Sequence, residues 1–132
     1  MAAAVDAEIA KFRKLQEEMT KLRGDIQILM GQLNENEMVR QEFSLLDEGT
    51  ANVFKMVGPV LMKNDLQDAK STVEKRIEFI TGEKKRKESS LADKEKQANA
   101  TALKVQELQG RMQQAAVEAA RAVAASSQTA KA

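Results

Sequence analysis

Apolar residues recur in steps of three and four over two long stretches of this chain, and between them lies a short segment with a different rhythm. In the first stretch Leu15, Met19, Leu22, Ile26, Leu29 and Leu33 are spaced 4, 3, 4, 3 and 4. This is a heptad seam, which predicts a coiled-coil helix. Val5, Ile9 and Phe12 extend the seam toward the N-terminus, with a step of 3 from Phe12 to Leu15 where 4 is due. Val39, Phe43 and Leu46 extend it the other way, after a slip expected near Asn34–Asn36; such slips change the supercoil locally. Gly49 reads as the stop signal.

The second stretch keeps one register for longer. Ile77, Ile80, Lys84, Lys87, Leu91, Lys94, Ala98, Thr101, Val105, Leu108, Met112, Ala115 and Ala119 alternate 3 and 4 throughout, and Leu66, Ala69 and Val73 lead into them. Asn64 or Asp65 can cap the start, and Asp68 favours the first turn. Gly24, Gly31, Gly82 and Gly110 all fall at f positions, away from the partner helix.

Between the helices, Ala51 to Val57 is rich in apolar and β-branched residues, and Val60 to Lys63 follows the pair Gly58-Pro59. This reads as a β-hairpin. Val53 and Val57 share one face of its first strand; Phe54 and Met56 share the other. Both faces are largely apolar. A lone hairpin is marginal in water and its edges are open to pairing, so this one needs partners. Val53, Phe54, Val57, Gly58, Pro59, Val60, Leu61 and Met62 are the candidate assembly residues.

A hairpin between two helices reverses the chain, so residues whose numbers total about 113 should face each other. Leu33 then lies by Ile80, Met19 by Lys94 and Leu15 by Ala98. Lys87 and Lys94 fall in the seam, where Asp25 and Glu17 or Glu18 can pair with them while the lysine stems cover apolar surface. About 45 paired residues at 1.5 Å each predict a rod of roughly 65 Å. The fold class is mainly α: a long antiparallel two-helix coiled coil joined by a short β-hairpin. One domain spans 1–132, with helix 1 over about 5–48, the hairpin at 51–63, helix 2 at 65–122 and a flexible tail at 123–132.

Composition supports this picture and narrows the chemistry. Ala, Glu, Lys, Arg and Leu make up half of the 132 residues, as in long helices. The only aromatics are four Phe, which disfavours a compact single-core globule. There is no Cys for a disulfide or thiolate site, and no His, the commonest general base and metal ligand. No phosphate-binding glycine loop occurs. Carboxylate pairs such as Glu17-Glu18 read as solvated helix surface, so no catalysis, cofactor or metal is expected. Lys84-Lys85-Arg86-Lys87 could bind phosphate, but Glu83 and Glu88 flank it. With a net charge of +1 and neither Trp nor Tyr, no nucleic-acid partner is expected. No apolar run approaches the roughly 20 residues of a membrane span, and Met1 to Ala10 lacks the pattern of a secretory signal. An intracellular, cytoplasmic location without membrane contact is the expectation.

Several motifs together are more specific than the heptads. They are Asn34-Glu35-Asn36 with Val39, Leu45-Leu46-Asp47, Val53-Phe54-Lys55, Gly58-Pro59-Val60-Leu61 with Lys63, and Val73, Lys75-Arg76 and Phe79-Ile80. In this order they resemble a β-type prefoldin subunit, closely over roughly a third of the chain. The resemblance implies a heterohexamer with two α-type and three further β-type subunits, its hairpins joined in a β-barrel platform. It further implies that unfolded client proteins, notably actin and tubulin, are held at the coiled-coil tips without ATP and passed to the cytosolic chaperonin. Val5, Ile9, Phe12, Val105, Leu108, Met112, Val117 and Val123 would then line or adjoin the client-binding tip. The heptads alone are equally compatible with a homo-oligomeric coiled-coil adaptor.

Overall fold

The computed structural model describes residues 2–131, apart from the side chains of 130 and 131. Helix α1 spans Ala2–Ser44, strand β1 Val53–Val57, strand β2 Val60–Asn64 and helix α2 Leu66–Lys131. The chain divides into two compact units. One is Leu22–Ser90; the other comprises residues 2–21 with 91–131.

In Leu22–Ser90, α1 ends where Leu45 and Leu46 turn their amides back to Glu42 and Phe43. The stop comes before Gly49. That residue instead sits in a turn built by Asp47, whose carbonyl accepts from Thr50 and Ala51 and whose side chain accepts from the Gly49 amide at 3.1 Å. This is the local side-chain capture of backbone at which Asp excels. α2 starts at Asp65, whose carbonyl takes the first helical bond from Ala69, with Asp68 in the first turn. Leu66, Ala69, Val73, Ile77 and Ile80 are buried along α2. Leu22, Ile26, Leu29, Leu33 and Phe43 are half-buried along α1. Two ion pairs hold these segments antiparallel, Asp25 with Lys87 at 3.4 Å and Arg40 with Glu74 at 3.5 Å.

The other unit repeats the arrangement. Val5 and Leu15 are buried on α1, and Ala98 and Thr101 on α2. The Thr101 hydroxyl donates to the Gln97 carbonyl at 2.8 Å, so its burial leaves no polar group unsatisfied. Glu18 pairs with Lys94 at 2.8 Å and Glu8 with Lys104 at 3.4 Å. Three of the four antiparallel pairs have residue numbers totalling 112, one less than the sequence spacing predicts. Lys87 and Lys94 meet Asp25 and Glu18 from half-buried positions, stems along the seam and heads at the carboxylates.

The α1 seam corrects the slips expected near Phe12 and Asn36. Positions 5, 8, 12, 15, 19, 22, 26, 29, 33, 36, 40 and 43 alternate 3 and 4 without a break, and all but Arg40 are buried or half-buried. Glu8, Asn36 and Arg40 occupy seam positions, while Val39 sits beside them at 36% exposure. A search by hydrophobicity steps over a polar seam residue to the nearest apolar neighbour. Here Glu8 and Arg40 keep their places because each reaches an opposite charge across the seam. On α2 the seam runs as expected from Ile77 to Met112 and then stops, since every side chain from Gln113 to Thr129 is exposed. The helix nevertheless continues to Lys131, past the boundary at 122 expected from the sequence. Alanine, abundant in this segment, has the highest intrinsic helix propensity.

Two outcomes follow. A Cβ at Gly24 or Gly31 would meet nothing within 4 Å. Gly24→Ala and Gly31→Ala should therefore each stabilise the protein by roughly 0.5–1 kcal/mol in thermal melts. The hydrogen bond from Lys94, reinforced by the charges of Lys94 and Lys14 against a smaller desolvation effect, holds the Glu18 carboxyl below its ordinary value. A lowered carboxylate pKa adds stability above the unfolded-state value and loses it as pH falls through the folded-state value. Acid titration followed by circular dichroism should show this loss below the ordinary glutamate range, and Glu18→Gln should remove that part of the slope.

Candidate assembly and binding surfaces

Gly58-Pro59 makes the two-residue connection of the hairpin. Gly58 has φ +59°, and proline cannot adopt positive φ. Positive φ at the first central residue alone is the signature of a type II′ turn, whose twist matches the flanking strands. The turn sets the register: Val57 opposes Val60, Met56 opposes Leu61, Lys55 opposes Met62, Phe54 opposes Lys63 and Val53 opposes Asn64. Directly opposed residues share a face. One face therefore carries Val57, Val60, Met62 and Val53 with Lys55 and Asn64; the other carries Phe54, Met56 and Leu61 with Lys63.

Of the eight candidate assembly residues, Phe54, Val57, Val60, Leu61 and Met62 are large apolar side chains that are all more than half exposed. Gly58 and Pro59 form the turn between the strands, and Val53 is half-buried. Met56 belongs with them at 69% exposure. It is absent from the candidate set, although strand alternation places it on the Phe54 face. Among the described residues the sheet has two strands, so each strand has one edge without a β partner. Both faces and both edges are thus available, a combination that is marginal in water. A groove of about 310 Å³ lies between β1 and the helices, lined by Val39, Phe43, Val53, Phe54, Met56 and Val73 among others.

The residues expected at the client-binding tip behave differently. They lie in the unit of residues 2–21 and 91–131. Val5 is buried, and Ile9, Phe12, Val105, Leu108 and Met112 are half-buried; five of the six lie in the seam, and Ile9 lies beside it next to Glu8. The register set by the Glu8–Lys104 and Glu18–Lys94 pairs brings Leu108 level with Val5. Only Val117 and Val123 present their side chains to solvent, at 46% and 69%. Leu103, 66% exposed on the same helix, was not singled out from the sequence because it lies off the heptad seam. An open concavity lined by Gly110, Gln113, Gln114, Val117, Glu118 and Arg121 adjoins Val117.

The run Lys84–Lys87 is largely neutralised by neighbouring acids. Lys84 pairs with Glu88, Arg86 with Glu83 and Lys87 with Asp25. Among the described residues no three His, Cys, Asp or Glu side chains cluster as metal ligands, and no helix is long and apolar enough to cross a membrane.

Known proteins share this arrangement. Residues 6–115 match the family described as "Prefoldin subunit". Mouse prefoldin subunit 6 is 42% identical over 111 residues, covering 84% of this chain and 87% of the relative. A probable prefoldin subunit 6 of Caenorhabditis elegans is 38% identical over 120 residues, covering 91% and 94%. The Arabidopsis thaliana subunit 6 is 48% identical over 82 residues, covering 62% and 63%. The crystal structure of the prefoldin beta subunit from Thermococcus strain KS-1 superposes with a TM-score of 0.74 at 18% identity, covering 79% of this chain and 90% of that one. At that identity the superposition speaks for the fold alone.

Because the turn requires positive φ at Gly58, any side chain there should weaken the hairpin. Gly58→Val should cost about 1–2 kcal/mol. Amide hydrogen exchange should accelerate across residues 53–64 and stay unchanged in the helices.

Proposed function

This chain belongs to the prefoldin subunit family, and we propose that it is one β-type arm of a heterohexameric, ATP-independent holdase. It assembles with two α-type and three further β-type subunits. Its hairpin contributes to a shared β-barrel, which removes the open strand edges. Unfolded proteins of the actin and tubulin class are held in the cytoplasm and passed to the cytosolic chaperonin. The protein is not an enzyme and uses no cofactor.

One observation carries this reading: six large apolar side chains stand exposed, from Phe54 to Met62, on the hairpin formed by two five-residue strands and their Gly58-Pro59 turn. Burying them on assembly would supply roughly 1.5–3 kcal/mol for each side chain fully covered. Among the described residues the helices have no comparable cluster. The segment beyond Met112 supports a client-contact role, because Val117 and Val123 are exposed there and every described side chain from Gln113 to Thr129 is exposed. Small exposed apolar groups bind weakly, and several arms acting together gain avidity. The half-buried residues Ile9, Phe12, Val105, Leu108 and Met112, and buried Val5, reach a client when the helices part.

Native mass spectrometry of the chain mixed with α-type and further β-type subunits tests the reading. The wild type should enter a hexamer with two α-type chains. The double variant Phe54→Asp, Val60→Asp should fail to enter it while keeping its helical circular dichroism. A self-contained oligomer that ignores the α-type chain would instead establish the homo-oligomeric adaptor.

A further inference from the structure

The groove beside β1 carries a charge imbalance that the hairpin's apolar faces do not explain. Four consecutive residues of β1, Val53 to Met56, line it, whereas β2 contributes only Asn64. Consecutive strand residues point to opposite faces, so a groove touching all four runs along the free edge of the strand. Its floor is apolar, from Phe43, Ala69 and Val73. Its two charged lining residues are Lys55 and Arg76, and no Asp or Glu lines it. Both cations are exposed, and neither side chain makes an ion pair or hydrogen bond among the described residues. Glu37, adjacent to Arg76 in the antiparallel register, does not pair with it either. The groove therefore presents two cations and no acid above its apolar floor. Phe79, one helical turn beyond Arg76 and 65% exposed, extends the apolar surface along the same helix face.

We propose that this groove selects its neighbour by charge: it receives an extended segment of an adjacent prefoldin subunit that carries a carboxylate, which Lys55 and Arg76 clamp. The proposal rests on the assembly reading above and adds a specificity determinant to it. Main-chain bonds along the β1 edge supply affinity without discriminating between strands, since any extended segment can make them. Apolar contacts with Phe43 and Val73 discriminate little more. A carboxylate between two cations that lack other partners does discriminate, because a neutral or basic strand would leave both cations uncompensated as the groove closes. Arg76 can grip a carboxylate with two parallel hydrogen bonds, while Lys55 acts as a point charge.

The test is assembly with the two α-type and three further β-type subunits, measured by titration at low and high salt. The wild type should assemble more weakly as salt rises. Arg76→Glu should weaken assembly at low salt by roughly tenfold or more, and Lys55→Glu should act in the same direction. Both should flatten the salt dependence, which mere loss of packing would not do. Arg76→Lys should retain most of the affinity and the salt slope. Arg76→Gln, which removes charge without adding repulsion, should fall between the wild type and Arg76→Glu. Helical circular dichroism of each variant alone should match the wild type, since both side chains are exposed. Assembly of Arg76→Glu with wild-type affinity overturns the charge clamp and leaves the assembly role intact. Weakened assembly with an unchanged salt slope overturns it equally. A wild-type chain that enters no mixed hexamer overturns both.

Discussion

The reversal at Gly58-Pro59 is the constraint on which the rest depends. A glycine at φ +59° followed by proline permits a two-residue II′ turn, and that turn pairs Val57 with Val60 and every residue behind them. Shifting this register by one residue would exchange the two faces of the hairpin. The reversal also makes α1 and α2 antiparallel, so that Arg40 can meet Glu74 and Asp25 can meet Lys87. In that direction and at that offset, acids on one helix meet bases on the other.

The helix pairing is adequate rather than dense. No large side chain among the described residues is completely buried. Lys84, Lys87 and Lys94 occupy the α2 seam, and their pairs with Glu88, Asp25 and Glu18 are partly exposed, the kind worth roughly 0–1 kcal/mol each. Two helices alone cannot enclose a side chain on all sides. The apolar material that a larger core would bury is displayed on the hairpin, where Phe54, Met56 and Leu61 share one face. Stability and assembly are therefore linked: surface that would destabilise an isolated chain becomes interior when a neighbour covers it.

The polar seam residues show why charge has a structural role here. Glu8, Asn36 and Arg40 interrupt the apolar stripe without interrupting its spacing, and two of them find partners on α2. A polar residue in a seam lowers stability and specifies register. In an antiparallel pair with small seam residues such as Ala98 and Thr101, where apolar packing tolerates sliding, these charged contacts distinguish the native offset from its neighbours.

Much of this was legible in the residues alone. The 3–4 alternation from Ile77 to Met112, the Gly-Pro turn and the facing of Lys87 with Asp25 and of Lys94 with Glu17 or Glu18 all follow from periodicity and chain reversal, which are local or nearly local rules. The seam at Glu8, Asn36 and Arg40 was not, because a polar side chain signals burial only when its partner across the seam is known. The end of α1 was misplaced because the Asp47 side chain, rather than Gly49, organises the turn. Nor could spacing separate the buried Val5 from the exposed Val123, since exposure depends on whether another helix lies opposite. The groove lined by both Lys55 and Arg76 was equally invisible: these residues are far apart in the chain, and only the placement of β1 beside the helices puts both on its walls. Sequence determined the periods and the turn because they are properties of neighbouring residues; tertiary structure decided which polar groups meet, because that depends on distance through space.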